Sequence, residues 1–128
     1  QAFTALFAHQ PDPLDALSTW LQSALGQLQD SAFERGCPLA AVALESGPED
    51  HQIRAALANA FMVIRQALQQ QLQRHGYPQP QGLAALFVAL YEGGLLQARV
   101  AGSSEPLKQA VTTLLDLTRQ HRTEPLSP

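Results

Sequence analysis

The chain is short of charge. Asp, Glu, Lys and Arg make up 15 % of its 128 residues, against about 25 % in an ordinary soluble domain. Its eight Lys and Arg never form a run, and the formal net charge is −3. A surface that neutralises nucleic-acid phosphates needs several basic groups on one face. These residues alone are therefore not expected to bind DNA or RNA. Cysteine is nearly absent: Cys37 stands alone. That excludes an intrachain disulfide and fits a reducing compartment. β-Branched residues are sparse, so no strand is expected. No apolar run reaches the roughly 18 residues of a membrane-spanning helix, and no signal peptide is visible. No internal repeat occurs.

Catalytic constellations are missing as well. His9, His51, His75 and His121 lie far apart. Metal sites on helices use Glu-x-x-His or His-x-x-x-His spacing, and neither occurs. No acid–base pair or activated nucleophile can be assembled. The expectation is a protein without metal or cofactor that is not an enzyme. Cys37, between Gly36 and Pro38 at a helix start, has two readings. A helix N-terminus can activate a thiol, but a small buried hydrophobe is the expected role.

What is abundant is Ala, Leu and Gln, all good helix formers. The length suits one domain able to bury about two-thirds of its unfolded surface. Residues 1–8 read as the end of a helix that begins upstream, and Gln1 at the start fits a fragment or processed product. Asp12 can cap and Pro13 can open a helix to about Asp30. Its stripe is Leu14, Leu17, Trp20, Leu21, Ala24, Leu25 and Leu28. A short apolar helix should follow Pro38. Near Pro48, with Glu49 and Asp50 in its first turn, a long helix should run to about His75. Its buried stripe is Ile53, Leu57, Ala60, Phe61, Ile64 and Leu68. Gly76 and Pro78 stop it. A last helix follows the break at 102–106 and extends to about Gln120, with Leu107, Ala110, Val111, Leu114, Leu115, Leu117 and Thr118 over a wide arc. Residues 123–128 read as a flexible tail. The fold class is all-α, a bundle of about five to six helices.

The helix over 79–101 is apolar on two sides. Leu83, Phe87, Leu90, Tyr91, Gly94 and Ala98 form a large-residue face. Ala85, Ala89, Gly93, Leu96 and Val100 form a small-residue face. A helix apolar nearly all round must be covered nearly all round. One side can pack on the chain's own core and the other on a second copy. The dimer surface is thus expected to comprise Ala85, Ala89, Gly93, Leu96 and Val100, with Leu107, Ala110, Val111 and Leu114 from the last helix. The alternative for the small stripe is a tight contact within the chain. Trp20, Phe33, Leu57, Phe61, Ile64, Phe87 and Tyr91 are core residues in the plainer reading. In the functional reading they line an apolar pocket between helices, with Tyr91 supplying a hydroxyl. Glu92 is expected to point to the helix edge and pair with Arg99 or a partner residue; a role in contacting a cationic or hydroxylated ligand is the lesser reading.

Three segments carry a family resemblance: Gly36-Cys-Pro-Leu-Ala-Ala-Val-Ala-Leu-Glu45, Phe87-Val-Ala-Leu-Tyr-Glu-Gly-Gly-Leu-Leu-Gln-Ala-Arg-Val100, and Ser103-Ser-Glu-Pro-Leu107. In order and spacing the chain resembles the C-terminal domain of TetR-type transcriptional regulators, in the LmrA/YxaF-like branch. The resemblance implies a cytoplasmic, membrane-free homodimer whose last two long helices form a four-helix bundle with the partner. It implies a small hydrophobic effector and repression relieved by it. Operator DNA would be bound only through an N-terminal helix-turn-helix domain, which has no counterpart in these residues. Residues 1–8 would then be the end of a connecting helix, residues 9–122 the effector-binding and dimerisation domain. The alternative is a free-standing helical dimerisation or interaction module without a small-molecule ligand.

Overall fold

Asp12 starts the first helix. Its backbone is extended, and its Oδ1 accepts a hydrogen bond from the Leu14 N–H at 2.8 Å. That satisfies one of the donors every helix start leaves open. Pro13, whose fixed φ suits the first helical position, follows. The helix is α1 (Pro13–Asp30), and the computed structural model describes residues 7–8, 12–31, 47 and 49–121 of the chain. Three more helices follow: α2 (His51–Arg74), α3 (Pro80–Ala101) and α4 (Glu105–Gln120). Among the described residues there is no strand, and the fold is all-α. The short helix expected after Pro38 lies outside the described residues, as do Cys37, Phe33 and the tail. Of the expected connecting helix, Phe7 and Ala8 are described, and both are helical.

The helix ends follow from local chemistry. α2 begins at His51 rather than in the expected turn at Pro48. Asp50 holds a tight turn instead: the Gly47 N–H donates to its Oδ2 at 2.9 Å, and its own N–H donates to the Gly47 carbonyl. At its C-terminus the Gly76 N–H reaches the Gln73 carbonyl and the Tyr77 N–H reaches the Leu72 carbonyl at 3.0 Å. This bonding requires a left-handed residue, supplied by Gly76 at φ +78°. α3 ends likewise at Gly102, with the Ser103 N–H on the Ala98 carbonyl.

α3 lies between α2 and α4, while α1 packs across α2 and α4. The core is largely leucine: Leu14, Leu17, Leu21, Leu25 and Leu28 of α1 meet Leu68 and Leu72 of α2, Phe87 and Leu95 of α3, and Leu107, Val111, Leu114 and Leu115 of α4. Each such side chain, fully buried, contributes about 1.5–3 kcal/mol relative to exposure. The α1 stripe is as expected, with Trp20 and Ala24 at its half-buried margin. The α2 stripe is not. Only Leu68 and Leu72 are buried, Ile53 is 43 % exposed, and Leu57, Ala60, Phe61 and Ile64 are half-buried. α2 meets the described core only along its C-terminal third.

α3 and α4 approach most closely at Gly94. A Cβ there would sit 2.8 Å from Leu107 Cδ1 and 2.9 Å from Leu107 Cα. No side chain fits, which is why glycine occurs in mid-helix despite its cost. α3 also corrects the expectation about membrane spans. Its 22 residues, charged only at Glu92 and Arg99, are long and apolar enough to cross a membrane by length and composition alone. Packing accounts for part of that apolarity, since Ala84, Phe87, Leu95 and Ala98 are core residues.

Candidate functional site

The two faces of α3 divide as their residue sizes suggest. Phe87, Gly94 and Ala98 are buried, and Leu83, Leu90 and Tyr91 are half-buried against the core. On the opposite face Ala85, Ala89, Leu96 and Val100 are exposed, Val100 to 82 %. Gly93 is half-exposed, and among the described residues nothing beyond its chain neighbours and its own helix backbone lies within 4 Å of where its Cβ would be. The tight contact within the chain therefore belongs to Gly94, not to the Ala85–Ala89–Gly93 stripe.

This face continues into a groove of about 680 Å³ between α3 and α4. Leu86, Leu90 and Gln97 form one wall; Pro106, Gln109, Ala110, Thr113 and Leu117 form the other, with Leu114 beneath and Glu105 the one charged group among the described lining residues. A smaller hollow of about 260 Å³ extends it toward Pro78 and His121. Of the interface residues expected from α4, Ala110 and Leu114 line this groove. Leu107 and Val111 do not: both are 0 % exposed within the single chain. The close crossing at Gly94 turns them inward against α3, so they have no surface left for a partner. Leu86 and Leu117, both about half exposed, are not among the expected interface residues, although Leu117 belongs to the apolar arc read for the last helix. Their signal was the spacing: Leu86 lies three residues before Ala89 and seven before Gly93 of the small-residue stripe, and Leu117 lies seven residues from Ala110.

The expected pocket residues are only partly brought together. Phe87 and Tyr91, one turn apart on α3, face Trp20 of α1. The Trp20 and Tyr91 ring centroids are 4.3 Å apart, Trp20 and Phe87 5.8 Å, and Phe87 and Tyr91 6.2 Å at 15° between planes. The three rings touch, and the space between them is filled by the rings themselves. Phe33 lies outside the described residues. Leu57, Phe61 and Ile64 occupy one half-buried side of α2. Glu92 differs from expectation: it is half-buried, with Oε2 shielded from solvent rather than pointing to the edge. Among the described residues no three His, Cys, Asp or Glu converge as a metal site.

One polar constellation was not anticipated. Tyr77, in the corner between α2 and α3, is buried, and its hydroxyl reaches both carboxylate oxygens of Asp12. Nothing in the spacing signals a contact between residues so far apart along the chain.

Comparison with known proteins places this architecture. Residues 13–113 match the family model for the C-terminal domain of LmrA/YxaF-like transcriptional regulators. The crystal structure of a regulatory protein TetR from Rhodobacter sphaeroides is similar, with a TM-score of 0.80 at 23 % identity. The match covers 95 % of this chain and 67 % of that one. At that identity the likeness concerns the fold. No curated protein is close enough in sequence to match.

Proposed function

The chain belongs to the family of LmrA/YxaF-like, TetR-type regulator C-terminal domains, a regulatory and not an enzymatic family, and from that premise we propose that it is the dimerising, effector-responsive half of a cytoplasmic transcriptional repressor. The observation that carries this reading is the open apolar face of α3 and its groove with α4. An exposed stripe holding Leu86, Leu96, Val100 and Leu117 is larger than the scattered apolar residues an ordinary surface shows. Facing a second copy by two-fold symmetry, α3 and α4 would complete a four-helix bundle. Ala85, Ala89 and Gly93 would allow the two α3 helices to approach closely at its centre. Ala110 and Leu114 would contribute from α4.

Effector binding is supported by composition. Trp20, Phe87 and Tyr91 join apolar surface to a hydroxyl, and Leu57, Phe61 and Ile64 add a half-buried apolar side. No Lys or Arg lies among these residues to hold an anion, so a neutral or weakly cationic lipophilic compound fits best. Because the three rings touch, such a compound would part them or lie against the α2 side. Its binding would favour one helix arrangement over another, and α1 would pass the shift to a DNA-reading domain outside these residues. Sedimentation tests the dimer: twice the chain mass should persist at micromolar concentration, and a monomer there would refute it. The closed ring cluster favours a second reading, a dimerisation module without a small ligand. A thermal-shift screen with lipophilic compounds separates the two, since only an effector domain should gain stability in proportion to ligand concentration.

A further inference from the structure

Asp12 and Tyr77 are 65 residues apart in sequence, yet the Tyr77 hydroxyl lies 2.9 Å from Asp12 Oδ1 and 2.8 Å from Oδ2. Tyr77 is 4 % exposed. The same Oδ1 caps α1 through the Leu14 N–H. One carboxylate thus fixes the start of α1 and receives a tyrosine from the corner between α2 and α3. A hydrogen bond to an ionised group is about twice as strong as one between neutral groups.

Neither end of this contact is free to move by itself. The Tyr77 N–H is bonded to the Leu72 carbonyl, so its backbone is part of the last turn of α2. Gly76 before it is left-handed, Gln79 after it is left-handed at φ 51°, and Pro78 and Pro80 restrict φ between them. A corner with two prolines and two left-handed residues has few alternative conformations. On the other side, the Asp12 carbonyl accepts the Ala16 N–H, so Asp12 is integral to the first turn of α1. It also receives the chain arriving from the helical residues Phe7 and Ala8.

We propose that the Asp12–Tyr77 pair is a latch that couples the C-terminal end of α2 to the chain leading into α1. A displacement of α2 is carried by its last turn to the Tyr77 ring, and from the hydroxyl to the carboxylate that anchors the start of α1. The latch is a property of this chain alone. Its use as a route from the half-buried side of α2 to a DNA-reading domain rests on the function proposed above.

The test is native-state hydrogen exchange on the whole 128-residue chain without ligand. Two substitutions break the latch from opposite sides. Tyr77→Phe removes the hydroxyl and keeps the ring. Asp12→Ser keeps a good helix cap but is too short to reach Tyr77. Coupling is reciprocal, so each variant must loosen the far side. Tyr77→Phe should speed exchange at Phe7, Ala8 and Leu14 by about tenfold, and Asp12→Ser should do the same at Gly76 and Tyr77, the size expected for local opening after loss of a charged hydrogen bond. The double variant should be no looser than the looser single variant. The Leu95 and Val111 amides should hold their rates. Effects confined to the substituted side, or a rise shared equally by all four helices, would overturn the latch. Neither result bears on the dimer or on effector binding, which sedimentation and thermal shift address separately.

Discussion

Two adjacent glycines of α3 have opposite roles, and substitution separates them. At Gly94 a methyl group would collide with Leu107, including its Cα, and helices cannot yield there without separating. Gly94→Ala should cost roughly 1–3 kcal/mol, the usual penalty for overpacking, read as a lowered urea midpoint. At Gly93 no other element among the described residues occupies the space beside it. Gly93→Arg should leave the fold intact by circular dichroism, since arginine is the better helix former, while abolishing the proposed dimer in sedimentation. The Gly-Gly pair on this helix is legible in the sequence, with its two members on different faces. Residue size allotted Gly94 to the large face and Gly93 to the small one, and burial agrees with both. Leu107 and Val111 were misread for a related reason. An apolar arc reveals that a helix is covered, and says nothing of whether its own chain or another covers it.

At the scale of the element, the four described helices were legible because their caps and breaks are strong chemical signals. Asp12-Pro13, Gly76, Pro80 and Gly102 each mark a boundary within a residue or so of where periodicity put it. What periodicity could not supply was depth. α2 carries apolar residues at helical spacing along its whole length, but its two ends differ. Leu68 is fully buried, whereas Ile53 is exposed to nearly half its surface. Leu68→Ala should therefore cost about 2–5 kcal/mol, and Ile53→Ala no more than about 0.5 kcal/mol, compared by chemical denaturation. The left-handed Gly76 gives a further expectation. Gly76→Ala should destabilise by about 1 kcal/mol or more, because a Cβ is strained at that φ and the end of α2 depends on it. The Asp12–Tyr77 contact was invisible at this level. Asp12 was read as a helix cap, which it is, but a long-range partner leaves no periodic trace.

For the molecule as a whole, charge and shape point the same way. The net charge of −3 and the scattered basic residues predict that a gel shift with any defined duplex will show no specific complex for these residues. A tight, salt-sensitive complex would contradict that. Fold class and the two-faced nature of α3 were readable from sequence because they depend on averages over many residues. Whether Trp20 on one helix and Phe87 and Tyr91 on another line a cavity or fill it was not readable, because ångströms decide which. Those rings have a practical consequence. Trp20 is the chain's only tryptophan, and it joins α1 to α3 through Tyr91 at a ring separation of 4.3 Å. The protein thus carries an intrinsic optical gauge of the α1–α3 distance. Any event that parts these helices should shift the indole emission and weaken energy transfer from Tyr91, with no label attached.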